Sequence, residues 1–313
     1  MRYLGQHFLI QKNIVKKIVD VADLNKNDVV LEVGPGKGVL TEELLKRAKK
    51  VIAVEKDRRL CDFLGDKFSD EIKEGRLVLA EGDILKIFNP PVGGQFLISK
   101  QISNPKLQIT NKSEILNSKF ETNSKLRIKN FKQNQNQELK LPEKYKIVAN
   151  IPYYITSRFL KIFLEEIEPC PQKMVLMLQK EVAERICGKP PKSILAVSVQ
   201  VYGKPKIAFK VSAGNFFPPP KVDSAVLIID NISKKWFNSI TEKDFFAIVK
   251  SGFAKKRKFL INNLLGGLNI SKTEIESVFK ECGINFKARA EELKLEEWKC
   301  LTKNLKCKNQ NEK

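Results

Sequence analysis

The feature that most constrains the fold is an apolar strand that runs directly into a glycine loop and then into a helix. The run Val29–Val33, interrupted only by Glu32, leads into Gly34-Pro-Gly-Lys-Gly38, and residues 39–48 carry apolar side chains at helical spacing. Strand, glycine turn and helix open the βαβ unit of nucleotide-binding proteins, where missing side chains let a ligand approach the backbone. This order predicts an open, mostly parallel α/β sheet.

The following strand, residues 51–55, ends in an acidic side chain. Glu55 stands 21 residues after Gly34, close to the ~20 residues expected for a carboxylate that binds ribose hydroxyls. Together with the glycine loop, Glu55 predicts a cofactor that contains a nucleoside.

Two details indicate which nucleoside cofactor it is. The spacing Gly34-x-Gly36-x-Gly38 departs from the Gly-x-Gly-x-x-Gly of dinucleotide sites, and the Glu32 carboxylate would disfavour a pyrophosphate nearby. A carboxylate there suits a ligand with an ammonium group, such as the methionine part of S-adenosylmethionine. Asp83, just after the strand at 77–80, is placed to accept a hydrogen bond from the adenine amine of that cofactor. The alternative for Asp83 is a helix N-cap.

A further apolar run, residues 145–149, is followed by Asn150-Ile-Pro-Tyr-Tyr154. Open α/β sheets bind ligands at the carboxyl ends of their strands, where this motif falls. Pro152 restricts the backbone of Ile151, Asn150 offers an amide acceptor and donor, and Tyr153 offers a flat face for a base. These groups suit holding the exocyclic amine of a flipped-out nucleobase. A proline turn with two core tyrosines is the alternative.

Strands are also predicted at residues 174–178, 206–211 and 224–229. Residues 193–202 are ambiguous, because their valines favour a strand by propensity. Between the last two strands lies the proline arm Phe216-Phe-Pro-Pro-Pro-Lys-Val-Asp223. It is able to present Phe216 as a second aromatic plate opposite Tyr153, and a pair of ordinary hydrophobic anchors is the alternative.

The helical pattern continues after residue 231, and no strand pattern remains there. We expect helices at residues 245–253, 273–282 and 295–305, and also at 14–21 with Asn13 as N-cap and from Thr156 or Ser157 to 164. Residues 93–141 are rich in Asn, Gln, Lys and Ser, which predicts a largely disordered basic insertion. A neutral surface insertion is favoured over an RNA contact.

Charge and composition narrow the partners and the compartment. The 57 Lys and Arg exceed the 36 Asp and Glu by 21, which favours a polyanionic partner. Six cysteines without a Cys-x-x-Cys pair predict free thiols in a reducing cytoplasm, and the single His7 disfavours a metal site. No apolar run of about 18 residues and no secretory segment is present, so no membrane contact is expected. The expected phosphate contacts are Lys221 and a cluster on a helix, Lys255, Lys256, Arg257 and Lys258.

These motifs resemble the small-subunit rRNA dimethyladenosine transferases (KsgA/RsmA), which share their fold with the Erm rRNA methyltransferases and the mitochondrial transcription factor B proteins. The resemblance covers nearly the whole chain apart from residues 93–141. The matching motifs are Gly5-Gln-His-Phe-Leu9, Leu31-Glu-Val-Gly-Pro-Gly36, Glu55, Gly82-Asp83, Asn150-Ile-Pro-Tyr-Tyr154, Leu178-Gln-Lys-Glu-Val182, 216–224, 253–262 and Arg289-Ala-Glu-Glu-Leu293.

The resemblance implies a Rossmann-like class I S-adenosylmethionine-dependent methyltransferase with a seven-stranded, mostly parallel sheet (residues 1–230) and a small all-α RNA-binding domain (residues 231–313). It also implies that residues 193–202 form a helix. The implied cofactor-binding residues are His7, Leu9, Gly34, Gly36, Glu55, Asp83 and Asn150. The implied catalytic residues are Asn150, Ile151, Pro152, Tyr153 and Phe216, with the target adenine between Tyr153 and Phe216.

The implied reaction is dimethylation of two adjacent adenines in a hairpin loop near the 3′ end of 16S rRNA, on a nearly mature small subunit, by a monomer. The sequence departs from the family pattern at the long insertion, at Ile194 where a tyrosine is common, and at Lys255-Lys256, which precede Arg257 where the family tends to have Gln-Arg. The alternatives are an Erm-type enzyme acting on large-subunit rRNA, or a non-catalytic RNA-binding assembly or transcription factor.

Overall fold

The structure is a computed structural model that describes residues 7–88, 127–128, 139 and 141–305. The strands in these ranges are β1 (Phe8–Leu9), β2 (Val29–Val33), β3 (Lys50–Glu55), β4 (Leu77–Glu81), β5 (Arg127–Ile128), β6 (Lys146–Asn150), β7 (Lys173–Gln179), β8 (Lys204–Val211), β9 (Phe216–Phe217) and β10 (Ser224–Asp230). The α-helices are α1 (Lys12–Ala22), α2 (Val39–Arg47), α3 (Arg58–Lys67), α4 (Ser69–Lys73), α5 (Ile84–Ile87), α6 (Thr156–Lys161), α7 (Lys180–Cys187), α8 (Ile194–Tyr202), α9 (Glu242–Gly252), α10 (Leu260–Gly267), α11 (Lys272–Glu281) and α12 (Leu295–Asn304).

The main sheet has the strand order β5-β4-β3-β2-β6-β7-β10-β8. The strands from β4 to β7 in this order are parallel to one another, and β10 runs antiparallel to both β7 and β8. This arrangement confirms the predicted seven-stranded, mostly parallel α/β sheet. The two-residue β5 adds a short antiparallel strand at the edge.

The central strands are buried on both faces, which explains why their sequences read as continuous apolar runs. In β2, Leu31 and Val33 pack into one hydrophobic cluster, and Val30 packs into the cluster on the opposite face. This alternation follows from the two-residue period of side chains along a strand. Helices cover both faces.

The chain changes direction in the sheet between β2 and β6. It runs outward through β2, β3 and β4, and it returns to place β6 on the other side of β2. Gly34 and Asn150 therefore meet at the carboxyl edge, where a Cβ on Gly34 would lie 4.0 Å from the Asn150 carbonyl oxygen. A reversal of strand order at this edge is where open α/β sheets bind ligands.

After Asp230 the described chain is helical. Helices α9 to α12 pack around side chains such as Phe245 and the fully buried Trp298. The ring of Tyr202, at the end of α8, lies 5.3 Å from that of Phe237 between centroids, and one hydrophobic cluster includes residues on both sides of residue 230. The division into domains at residue 230 stays a prediction.

Two predicted helix starts are wrong. Helix α1 begins at Lys12 with Gln11 as its N-cap, and the Asn13 side chain instead accepts a hydrogen bond from the Ile14 backbone N–H at 2.8 Å. Helix α6 begins at Thr156 itself, with Ile155 as the N-cap and no side-chain cap. A five-residue π-helical turn, Ile162–Glu166, continues α6.

Residues 194–202 form α8, as the resemblance implied and against their strand propensity. The Ser193 side chain caps the helix by accepting from the Ala196 N–H at 3.2 Å. Most side chains of α8 are buried, so tertiary packing outweighs the modest intrinsic preference of valine for strands.

Three further expectations need correction or fall outside the described residues. Cys282, the C-cap residue of α11, is disulfide-bonded to Cys300 in α12, so the prediction of six free thiols is wrong. The basic cluster at 255–258 lies in the loop between α9 and α10 rather than on a helix, because α9 ends at Gly252. Apart from Arg127–Ile128, Leu139 and residue 141, the predicted insertion 93–141 lies outside the described residues.

Among the described helices, none combines the length and the apolar character that a membrane span requires.

Candidate active site

A cavity of about 540 Å³ opens at the carboxyl edge of the sheet, where β2 and β6 end. This volume lies within the range of ~300–1,000 Å³ that is typical of small-molecule sites. The structure brings all of the predicted cofactor and catalytic residues to its wall: His7, Leu9, Gly34, Gly36, Glu55, Asp83, Asn150, Ile151, Pro152, Tyr153 and Phe216.

The glycine loop is shaped by Glu55. One carboxylate oxygen of Glu55 accepts from the Gly36 N–H at 3.1 Å, and the other accepts from the N–H groups of Lys56 and Asp57 at 2.8 and 2.9 Å. A carboxylate has about four acceptor positions, so roughly one remains for a ligand hydroxyl. Burial raises the pKa of Glu55, and the three backbone donors oppose that rise.

Gly36 could not be replaced without disturbing the loop. Its φ is +58°, and a Cβ there would lie 3.0 Å from the Phe8 ring. The left-handed backbone favours glycine, and the Phe8 ring occupies the space that a side chain would need. The glycine therefore keeps the backbone close to both Phe8 and the Glu55 carboxylate.

Glu32 is a buried carboxylate on the cavity wall. Its side chain is 1 % exposed, and neither of its oxygens has a hydrogen-bond partner among the described residues. Burial raises the pKa of Glu32 to about 8; the nearby Thr41 hydroxyl opposes that rise, and the Glu55 carboxylate adds to it. A buried acid without a partner is neutral at lower pH, and it becomes a receptor for a positive charge when one enters the cavity.

The structure confirms the alternative prediction for Asp83, which is the N-cap of α5. Its Oδ1 accepts from the Leu85 N–H at 3.0 Å at the start of α5, and its Oδ2 lies 3.0 Å from the Lys56 Nζ. The Asp83 carboxylate raises the pKa of Lys56 by hydrogen bonding to its ammonium. An amine that approaches Asp83 would share Oδ2 with Lys56.

Two of the two-residue strands, β1 and β9, build another part of the wall from segments more than 200 residues apart. In the antiparallel β1–β9 ribbon, Phe8 lies opposite Phe217 and Leu9 opposite Phe216. Nδ1 of His7 lies 2.7 Å from the Pro218 carbonyl oxygen. Because a carbonyl can only accept, Nδ1 is the protonated nitrogen in this contact.

Asn150 is the last residue of β6, and its half-buried amide faces the cavity. Its Nδ2 is 3.5 Å from the His7 carbonyl oxygen. This orientation uses the amide nitrogen and directs Oδ1 elsewhere as an acceptor. The Ile151 N–H donates to the Met177 carbonyl at 3.1 Å, which fixes the backbone immediately after Asn150.

Tyr153 is held by its hydroxyl. That oxygen lies 2.7 Å from the Oγ of Ser224, and partial burial raises the pKa of the Tyr153 phenol. The Tyr153 ring lies 27° from parallel to the His7 ring, with 6.4 Å between centroids. Phe216 also lines the cavity, but it is only 3 % exposed, so stacking on it requires that its ring be uncovered.

The predicted RNA-binding residues lie outside the cavity wall. Lys221 is exposed in the proline arm, and Lys255, Lys256, Arg257 and Lys258 are exposed in the loop between α9 and α10. The structure therefore separates the basic residues from the cavity and leaves all five accessible to a partner.

Sequence reasoning missed several side chains that form the wall. Phe8 and Phe217 meet across the β1–β9 ribbon, and Lys56 pairs with Asp83. Tyr154 was assigned no role, although it stands within the Asn150 motif. The alternation of side chains in an extended segment was a usable signal for Phe217, since it must point away from the side taken by Phe216.

Comparison with known proteins shows which family this chain resembles. The profile of the ribosomal RNA adenine dimethylase family matches residues 2–306. A protein of Dehalococcoides mccartyi named ribosomal RNA small subunit methyltransferase A is 41 % identical over 299 residues, covering 95 % of this chain and 86 % of that protein.

Two solved structures show the same fold. A dimethyladenosine transferase from Plasmodium falciparum superposes with a TM-score of 0.64 at 24 % identity, covering 94 % of this chain and 96 % of that one. The 23S rRNA methyltransferase ErmE superposes with a TM-score of 0.63 at 23 % identity, covering 95 % and 99 %.

Proposed function

The chain belongs to the ribosomal RNA adenine dimethylase family, and on that premise we propose that it dimethylates adenines of small-subunit rRNA. The proposed targets are two adjacent adenines in a hairpin loop near the 3′ end of 16S rRNA. The observation that carries the proposal is the position of Asn150, which stands beside the glycine loop and shares one cavity with Tyr153.

The proposed cofactor is S-adenosylmethionine, which supplies an electrophilic methyl group on a positively charged sulfur. Three features of the cavity fit it. The buried, unpartnered Glu32 carboxylate suits the ammonium of a methionine moiety. Glu55 retains acceptor capacity for a ribose hydroxyl, and Asp83 offers an oxygen to an adenine amine. His7, Leu9, Gly34 and Gly36 would complete the cofactor site.

Asn150 and Ile151 would hold the amine of the target adenine. That amine is a poor nucleophile because its lone pair is delocalised into the ring. The Asn150 Oδ1 and the Ile151 carbonyl would accept its two hydrogens and localise the lone pair toward the methyl donor. The contact of Nδ2 with His7 supports this role, because it leaves Oδ1 as the free end of the amide.

The chain does not need to supply a strong base for this reaction. The nitrogen becomes positively charged as it gains the methyl group, and it is then acidic enough to lose its proton to water. Pro152 would fix the turn between Ile151 and Tyr153. Tyr153 would hold one face of the adenine ring, and Phe216 would hold the other once its buried ring is uncovered. Catalysis would come mainly from positioning, which can contribute about 7–11 kcal/mol.

The remaining parts of the proposal concern the partner. Lys221 and the basic loop at 255–258 would contact rRNA phosphates outside the cavity, and the helices after residue 231 would serve as the RNA-binding part. The enzyme would act as a monomer in the cytoplasm on a nearly mature small subunit. The surplus of 21 positive charges supports an RNA partner.

The test is methyl transfer from labelled S-adenosylmethionine to two substrates: small-subunit particles that lack the modification, and bare large-subunit RNA. We expect label only in the small-subunit rRNA, on adenine N6. Label in large-subunit RNA would instead identify an Erm-type activity. Cofactor binding without transfer to either substrate would indicate a non-catalytic RNA-binding factor.

A further inference from the structure

Two aromatic side chains on the cavity wall point into solvent. Tyr154 is 72 % exposed and Phe217 is 68 % exposed, the two largest values among the exposed large hydrophobic residues described. Both line the same cavity as Asn150. Single exposed hydrophobic residues are common on protein surfaces, but two aromatic rings at one cavity need a separate explanation.

Each exposed ring directly follows one that is turned inward. Tyr153 is hydrogen-bonded to Ser224, whereas the next residue, Tyr154, is exposed. Phe216 is 3 % exposed, whereas the next residue, Phe217, is exposed. Phe216 has an extended backbone, with φ −119° and ψ 154°, so successive side chains point in opposite directions. The β1–β9 register holds Phe217 opposite Phe8. This register prevents Phe216 and Phe217 from exchanging their positions.

Lysine and aspartate side chains both stand at this opening, and the Lys56 ammonium is paired with Asp83. Lys12, Lys37 and Lys56 are exposed and line the cavity wall. The Lys37 Nζ lies 5.5 Å from the centre of the Phe8 ring, beside the strand that pairs with Phe217. Aromatic plates beside lysines are the combination by which proteins bind single-stranded nucleic acid, because rings stack on bases and cations contact phosphates.

Resting on the proposed function, we propose that Tyr154 and Phe217 form an outer stacking pair for the base next to the target adenine. Tyr153 and Phe216 belong to the inner position, where the target itself enters. The outer pair binds the neighbouring base of the same strand through its ring face, without reading its identity. This contact anchors the strand while the target is extruded into the cavity.

The test combines protein variants with RNA hairpins from which one base has been removed. Each hairpin is carried in a reconstituted small-subunit particle, the proposed substrate: one hairpin is intact, one is abasic on the 5′ side of the two target adenines, and one is abasic on their 3′ side. For the intact hairpin, Phe217→Ala should raise the KM for RNA about 5- to 150-fold, the range for the loss of one stacked base, with little change in kcat. Tyr154→Ala should act in the same direction.

The abasic hairpins decide the assignment. If Phe217 stacks on a neighbouring base, then Phe217→Ala should have no further effect on one of the two abasic hairpins, because the partner is already missing. Phe217→Trp keeps an aromatic plate and should restore the KM on the intact hairpin. An equal loss on all three hairpins would overturn the proposal, and so would no loss on the intact one.

Phe63 provides a matched control. It is a phenylalanine on α3 that is 48 % exposed and lies outside the cavity wall, so Phe63→Ala should leave the KM for every hairpin unchanged. Failure of the proposed function would look different. In that case the unmodified protein itself would not methylate the intact hairpin or small-subunit particles, and no variant would be needed to see it.

Discussion

At the scale of single residues, Asn150 carries the most specific chemical demand. Its Nδ2 is directed at the His7 carbonyl, and its Oδ1 is the acceptor proposed for the adenine amine. Replacing Asn150 with alanine removes that acceptor but leaves the backbone of β6 in place. We expect Asn150→Ala to lower kcat about 100-fold or more, as for other oriented groups in active sites, when methyl transfer to small-subunit rRNA is measured.

The control for this variant is a measurement showing that Asn150→Ala is still correctly folded. The far-UV circular dichroism spectrum and the melting temperature of Asn150→Ala should match those of the parent protein, since the side chain is only half-buried. Near-normal methylation by a correctly folded Asn150→Ala protein would remove Asn150 from the mechanism.

Glu32 makes the stability of the cofactor-free protein depend on pH. Its pKa is raised from 4.5 to about 8 in the folded state, so the unfolded chain loses this proton first. The stabilisation is fully present below pH 4.5 and is lost as pH rises through 8, a difference on the order of 5 kcal/mol. Chemical denaturation between pH 5 and pH 9 should show a decline that Glu32→Gln makes much smaller, and the raised pKa of Glu55 accounts for part of the remainder.

A second readout separates Glu32 from other titrating groups. Binding of a ligand that carries an ammonium group should expel the Glu32 proton, so calorimetry in buffers of different ionisation enthalpy should detect proton release near pH 7. Stability curves that coincide for the parent protein and Glu32→Gln at all pH values would show that Glu32 is not a buried acid.

The residue types of the site could be predicted from the sequence, but not all of their contacts. The glycine spacing and the offset of Glu55 were sufficient to predict that the glycine loop and Glu55 lie together, because both belong to one βαβ unit. The pairing of Phe8 with Phe217 joins segments that are more than 200 residues apart, and no local pattern encodes it. The N-cap role of Asp83 was one of two alternatives from the sequence, but its pairing with Lys56 was not predicted.

At the scale of secondary structure elements, the packing of α9 against α12 is tight. A Cβ on Gly252 would lie 2.5 Å from the Trp298 side chain and 2.8 Å from that of Leu260. Gly252→Ala must therefore displace a fully buried tryptophan. We expect it to lower the free energy of unfolding by about 1–3 kcal/mol, as measured by denaturant titration.

Gly266 in α10 is the matched control. A Cβ on Gly266 would meet nothing within 4 Å, and alanine has the higher helix propensity by up to about 1 kcal/mol. Gly266→Ala should therefore be neutral or stabilising. Equal effects of the two substitutions would contradict the packing described for α9 and α12.

Element types followed from the sequence where hydrophobic period and length agreed, as in β2, β3 and β7. The helical structure of α8 could not be predicted from local propensity, because its valines favour a strand. Capping by Ser193 and burial of its side chains overcome that preference. The Cys282–Cys300 bond joins the C-cap residue of α11 to α12, and cysteine spacing alone does not specify such a pairing.

At the scale of the whole molecule, the net charge of +21 makes salt dependence the natural measure of RNA binding. Each phosphate contact contributes roughly 0.7–0.9 to the slope of log affinity against log salt. Lys255→Ala combined with Lys256→Ala should reduce that slope by about 1.4–1.8 for small-subunit rRNA, because both side chains are exposed in the loop between α9 and α10.

The comparison variant removes the same charge elsewhere. Lys16 and Lys17 are exposed on α1, and their double alanine substitution should leave the slope nearly unchanged. Equal reductions in both variants would mean that the basic loop makes no specific phosphate contacts and that only total charge matters.

The most direct test of the central claim is mass spectrometry of the nucleosides from the 3′ end of small-subunit rRNA, in cells with and without this protein. The account predicts two adjacent N6,N6-dimethyladenosines when the protein is present. It predicts two unmodified adenines when the protein is absent or carries Asn150→Ala. Unchanged dimethylation in cells that lack the protein would contradict it.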